Sequence, residues 1–111
     1  MNVDTTRVSV NDNPDAGRFE AVCDGQTLGY ITYQISGGVM RLPHTYVTPA
    51  ARGQNIAALL TEEALQAARA QRLRVVPTCW YVDRYIQRHP EYRDLLSDPD
   101  SVDTSADRVA D

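Results

Sequence analysis

A chain of 111 residues has room for one domain with a modest core and excludes any reading that needs two independently folded halves. Its formal charge of -4 gathers at positions 97 to 111, where Asp98, Asp100, Asp103, Asp107 and Asp111 face Arg108 alone, so the remainder is near neutral and offers no basic surface for nucleic acid. All 11 basic residues are arginine, which excludes a lysine Schiff base and a phosphate-loop lysine.

The N-terminus has no basic segment followed by an apolar run, and no apolar run nears the roughly 20 residues of a membrane helix. The expectation is a cytoplasmic protein without membrane contact. Cys23 and Cys79 form one conceivable pair, but without a secretion signal both are read as free thiols. No residue cluster is assigned to a metal.

Residues 1–5 read as frayed, and 7–11 alternate like a short edge strand. The run 11–17 is a loop by composition, and 18–23 is a second strand. Asp24-Gly25 and Gly37-Gly38 are hairpin signals, framing a third strand over 27–36 and a fourth over 39–47. Tyr30, Ile31, Tyr33 and Ile35 are expected to supply core-facing bulk. Pro43 cannot donate to a ladder, so a bulge or an edge is expected near it.

Over 56–72 the apolar positions Ile56, Leu60, Ala64, Ala67 and Ala68 recur at helical spacing, with Thr61, Glu62, Gln66, Arg69 and Arg72 on the wetter side. Residues 73–77 read as a short, central strand parallel to the strand before the helix. A second helix over 80–88 follows, His89-Pro90 stops it, and Tyr92, Leu95 and Leu96 tack a last turn onto the core. The domain thus runs from 1 to 96, and 97–111 is expected to be a disordered acidic tail. The fold class is α+β: an antiparallel meander, then a helix, a parallel-paired strand and a C-terminal helix on one mixed sheet.

Taken alone, Arg52-Gly53-Gln54-Asn55-Ile56-Ala57 is either a plain strand-to-helix turn or a phosphate cradle, since a helix start leaves N-H groups without intrahelical partners. In a strand-helix-strand unit it shares one sheet edge with His44-Thr45-Tyr46-Val47 and with Pro77-Thr78-Cys79-Trp80-Tyr81. That arrangement resembles the short, single-domain GNAT-like N-acetyltransferase-like proteins. The resemblance runs from about Arg18 to Leu96. It rests on Arg18-Phe19-Glu20, on His44-Thr45 followed by Val47, on Arg52-Gly53 with Ile56-Ala57, on Pro77 with Cys79 and Tyr81, and on His89-Pro90-Glu91-Tyr92.

The resemblance implies a reduced GNAT fold and acetyl-coenzyme A as the ligand. Its pyrophosphate would lie on the N-H groups of Gly53, Gln54, Asn55 and Ile56, with Ala57 following and Arg52 adding charge. Its pantetheine would run like an extra strand beside Thr45, Tyr46 and Val47. This chain departs from the family's usual pattern at Asn55, where a glycine is usual, and at Tyr46, where a glutamate is usual.

Three side chains are catalytic candidates. Cys79, at a strand end and a helix start, is either a nucleophile for a thioester or a small residue filling space. Tyr81 is either a proton donor to the departing thiolate or core packing, and His44 is either a base for the amine or a strand histidine satisfied by a backbone group. Trp80 and Cys23 are assigned to packing, and Arg18, Glu20 and Tyr92 to contacts that hold the fold. The leading reading is an acetyl-coenzyme A-dependent N-acetyltransferase with an unknown amine acceptor, acting directly or through Cys79. The alternative is a coenzyme A binding or sensing module without turnover, and a third class, an interaction domain working through the acidic tail, rests on composition.

Overall fold

Asp24 and Gly25 both take positive φ (52° and 77°), which is the backbone of a type I′ turn. They join β2 (Arg18–Cys23) to β3 (Gln26–Thr32), and β1 (Ser9–Asn13) pairs antiparallel with the other side of β2. Gly37 and Gly38 do the same (58° and 76°) between β4 (Gln34–Ser36) and β5 (Val39–Arg41), so both hairpins stand where the sequence placed them. These features come from a computed structural model, which describes residues 7–96. The expected acidic tail at 97–111 and the frayed residues 1–5 lie outside that range.

The two long strands expected over 27–36 and 39–47 each break in the middle. β3 ends at Thr32; Tyr33 donates one more N-H to Gly17 O (2.9 Å) in line with the β2 pairing, and β4 then pairs with β5 alone. Pro43, with no N-H, interrupts the other strand between β5 and β6 (Thr45–Val47). As a result β6 goes back to β3 while β5 takes a different neighbour, β7 (Arg74–Val76), in parallel. Instead of one mixed sheet there are two: β1-β2-β3-β6, all antiparallel, and β4-β5-β7. β7 was expected to be central; it ends its sheet, with one bridge from Val75 to Leu96 beyond it.

Helix α1 (Ile56–Ala70) buries Ile56, Leu60, Ala64 and Ala68, one residue per turn and the last two small, which lets the helix lie close against β2, β3 and β6. Thr61, expected on the wet side, is fully buried; its Oγ1 donates to Ala57 O (2.8 Å), which satisfies the hydroxyl within the helix. The helix stops at Ala70, two residues short of the expected 72, because Arg72 turns left-handed (φ 58°). Leu73 N then reaches Ala68 O (2.8 Å) and Arg72 N reaches Arg69 O (3.1 Å), the Schellman closure built without glycine.

Helix α2 (Trp80–Arg88) buries Val82 and Ile86, and the 3-10 turn Pro90–Leu95 adds Tyr92 and Leu95 to the core as expected. Arg69 ties that turn to α1 through Asp94 Oδ1 and Oδ2 (both 2.9 Å) and Glu91 O (2.8 Å). Three residues assigned to the core are not in it. Tyr30 is half-buried and alternates with the fully buried Ile31, so it lies on the other face of β3. Ile35 is 45% exposed on β4, whose residues all face solvent, and Trp80 is 71% exposed at the start of α2. Cys23 and Cys79 are both free. Among the described residues no helix is long and apolar enough to cross a membrane.

Candidate functional site

The break at Pro43 makes a joint. Leu42, fully buried, donates its N-H to Val76 O (3.3 Å) and accepts Cys79 N-H on its carbonyl (3.0 Å), so β5 and the end of β7 are held together there. Beyond Leu42 the chain follows β3, and β6 parts from the segment 77–79 that follows β7. Thr45 Oγ1 and Cys79 Sγ still meet across the opening at 3.7 Å. The two sheets therefore part like a V whose vertex is Leu42.

Among the described residues no strand lies on the edge of β6 that faces the opening. Thr32 N bonds to His44 O (2.9 Å) and Thr48 N to Leu28 O (2.8 Å), with Tyr30 opposite Tyr46 between them. In an antiparallel ladder the alternate residues then turn their polar groups the other way, so the backbone N-H groups of Thr45 and Val47 point into the opening. Gly29 sets how closely β6 approaches. A Cβ at this position would lie 2.4 Å from Tyr46 O and 3.1 Å from Val47 Cα, so any other residue pushes β6 off the sheet.

The same edge leads into the start of α1. After the 3-10 turn Pro49–Ala51, Arg52 folds back and donates Nε to Val47 O (3.0 Å). Gly53 has φ 80°, and a Cβ there would meet nothing within 4 Å, so the turn's outer face is open. Asn55 takes the left-handed conformation (φ 69°) as N-cap and its side chain gives no hydrogen bond to the helix. Asparagine adopts this backbone more readily than most residues, which is why it can stand where glycine is usual.

A groove of about 600 Å³ opens beside this turn between α1 and α2, and Asn55, Leu59, Glu62, Tyr81 and Tyr85 are among its walls. Burial raises the Tyr81 phenol above its ordinary value, with Arg88 pulling the other way. Tyr85 is pushed up to about 12, by burial first and then by Glu62 and its tyrosine neighbours. Both phenols therefore stay protonated near neutral pH.

The sequence candidates are thus distributed over two faces. Thr45 and Cys79 touch, the turn from Arg52 to Asn55 adjoins them along β6, and Tyr81 stands in the groove with Asn55. His44 lies elsewhere: its ring is 6.0 Å from Tyr30, on the face of the four-stranded sheet opposite Ile31 and α1. Tyr46 is on that face too, 5.4 Å from Tyr30, and Arg18 stacks over Tyr30 (4.4 Å) while holding Glu20 at 2.7 Å. The sequence reading missed Gly29 and Leu42. Leu42 carried no signal beyond standing next to Pro43, and Gly29 showed only as a glycine inside a strand pattern, which marks a close backbone approach.

Residues 18–95 match the model of the GCN5-related N-acetyl-transferase family, and the chain belongs to that family. Over 52 residues it is 36% identical to Protein NATD1 of Gallus gallus and of Homo sapiens. The match covers 47% of this chain and 47% and 46% of theirs, so it spans about half the length of these curated relatives. The fold is shared with a GCN5-like protein of Staphylococcus aureus solved in solution by NMR, with a TM-score of 0.65 and 18% identity over 83% of this chain and 90% of that one.

Proposed function

We propose that this chain binds acetyl-coenzyme A in the opening between β6 and the end of β7 and transfers the acetyl group to an amine. One observation carries the reading: among the described residues the N-H groups of Thr45 and Val47 lie on an edge without a strand, and that edge runs directly into an α1 start whose N-cap Asn55 gives no side-chain hydrogen bond. The first suits an amide-bearing chain laid alongside as an extra strand, and the second suits a pyrophosphate. Family membership supports the same ligand class. Coenzyme A fits the residues present, since the turn at Gly53 has open space on its outer side and the groove continues from Asn55.

The chain's own groups then divide the work. The four-stranded sheet is closed on one side by α1, so an amine would reach the opening from the face that carries His44, and His44 would be the side chain there to take its proton. Tyr81, a phenol on the groove wall, would supply a proton to the thiolate when the carbon-sulfur bond breaks. In the alternative route the Cys79 sulfur would take the acetyl group, releasing coenzyme A as its thiol, and would then yield it to the amine, regaining its own proton.

Coenzyme A at a hundred times its Kd should raise stability by about 2.7 kcal/mol, read as a rise in Tm. Gly53→Glu should remove that rise, whereas Gly53→Asn, which tolerates the left-handed backbone, should keep most of it. No rise with the native chain at millimolar coenzyme A would sink the reading. Intact mass after incubation with acetyl-coenzyme A separates the routes: one added acetyl group that vanishes in Cys79→Ala marks the relay. Coenzyme A released only when an amine is present, with no adduct, marks direct attack. A Tm rise with neither adduct nor release leaves a coenzyme A binding module.

A further inference from the structure

The face of the four-stranded sheet turned away from α1 gathers Arg18, Glu20, Tyr30, Tyr46 and His44 by strand alternation and register. Tyr30 is the hub. Its ring centroid lies 5.4 Å from that of Tyr46 and 6.0 Å from that of His44, and the Arg18 guanidinium carbon stands 4.4 Å over it. The rings are open to water, with His44 exposed and Tyr30 and Tyr46 half-buried. Glu20 is answered inside the sheet, by Arg18 Nε (2.7 Å) and Asn13 Nδ2 (3.4 Å). Among the described residues the two terminal nitrogens of Arg18, the hydroxyls of Tyr30 and Tyr46 and the His44 ring have no hydrogen-bond partner. The patch also borders the opening between the sheets, since Tyr46 stands between Thr45 and Val47, whose N-H groups point into it.

We propose that the acetyl acceptor is a polypeptide that lies over this face, with its primary amine beside His44 and an acidic side chain about three residues away on Arg18. The inference rests on the reading of the chain as an acetyl-coenzyme A-dependent transferase and adds the class of acceptor and the surface that selects it. An open sheet face suits a chain laid across it, whereas a small amine calls for an enclosing cleft. One arginine already paired with a glutamate is too little positive charge for a nucleic acid. Tyrosine and arginine are the side chains that dominate protein-binding surfaces, because planar groups give contact area at little cost in entropy. With Arg18 4.4 Å and His44 6.0 Å from the Tyr30 ring, the two are at most about 10 Å apart, which an extended peptide covers in about three residues at ~3.3 Å each. A carboxylate takes the two terminal nitrogens of Arg18 as a pair, and the backbone between lies on the tyrosine rings, whose hydroxyls serve its amides. The transfer balances within the complex: a nitrogen-carbon bond forms, the carbon-sulfur bond breaks, and one proton lost by the amine is matched by the one that makes coenzyme A a thiol.

The experiment measures by calorimetry the affinity of short peptides for the native full chain saturated with coenzyme A, and in parallel their acetylation by acetyl-coenzyme A. One arm has a free N-terminal amine and no lysine, and the other a blocked N-terminus and one lysine. Each is made with Glu, Gln or Arg three residues from the amine-bearing residue. In the arm that supplies the acceptor, the Glu peptide is expected to bind about tenfold more tightly than its Gln twin, as one charge-assisted pair gives, and to be acetylated in preference to it. Arg18→Gln is expected to make the two equal, and Tyr30→Leu to weaken both; the comparison on the native chain stands without either variant. Equal affinity for Glu and Gln, a preference for Arg, no peptide binding, or a small amine acetylated faster than every peptide overturns the inference, while the Tm rise with coenzyme A keeps the ligand reading standing. A concentration-dependent dimer that Tyr30→Leu dissolves assigns the face to a second copy and also overturns it. Absence of the Tm rise overturns both.

Discussion

The two ends of α1 are built from the same unusual backbone element and finished in opposite ways. Each has a non-glycine residue in the left-handed region, Asn55 (φ 69°) before the helix and Arg72 (φ 58°) after it. At Arg72 the chain's own groups close the end: Leu73 and Arg72 bond back to Ala68 and Arg69, and Arg69 is clamped by Asp94. At the other end Asn55 itself gives no side-chain cap, and Gly53 leaves space outside the turn. The end that Asn55 leaves uncapped is the one that the proposed acetyl-coenzyme A site uses.

The contrast can be broken hardest at Gly29, which holds β6 and therefore the open end in place. Gly29→Val should cost about 2–3 kcal/mol by denaturant titration and abolish the response to coenzyme A, because the added atoms meet Tyr46 backbone, which cannot rotate aside. If the variant is fully stable and still binds, β6 does not set the site. At the closed end, Arg72→Gly should stabilise by about 0.5–1 kcal/mol, the relief of a left-handed side-chain residue less the entropy glycine loses on folding. It should leave coenzyme A binding unchanged, which Tm with and without ligand checks.

The smallest effect belongs to Asp94. Arg69 holds its carboxyl below the usual carboxylate value, first by hydrogen bonding and with the guanidinium charge adding to it. A depressed folded-state pKa gives stability that is present above the unfolded value, near 4, and lost as pH falls through the folded one. Asp94→Asn should therefore flatten the acid limb of a Tm-against-pH profile and leave its neutral plateau little changed, since the pair is exposed. Glu20, lowered by Arg18, shares in that limb, and Glu20→Gln should flatten a further part of it.

What could be read from the sequence was what neighbours in sequence decide. Asp24-Gly25 and Gly37-Gly38 select their own turns, and the four-residue recurrence of Ile56, Leu60, Ala64 and Ala68 selects the buried face of α1. What could not be read depends on partners far along the chain. The division into two sheets follows from Leu42 meeting both Val76 and Cys79. The site residues from Arg52 to Asn55, with Thr45 and Cys79, were named from pattern and resemblance, and the structure places Thr45 against Cys79. His44 faces the other side of the sheet because strand alternation, not nearness in sequence to Thr45, decides where a side chain points. Trp80 misled because composition says only that a ring is apolar, not that α2 turns it outward.

The break at Pro43 also bears on how the protein keeps to itself in a crowded solution. A strand edge with free N-H groups is a template on which a second polypeptide can lengthen the sheet, the first step of many aggregates. Here the template is only Thr45–Val47 long. Pro43 cuts it short at one end, and at the other Arg52 already occupies Val47 O. A foreign strand would gain two or so hydrogen bonds and then run out of partners, which is too little to hold it, whereas a short amide-bearing ligand needs no more.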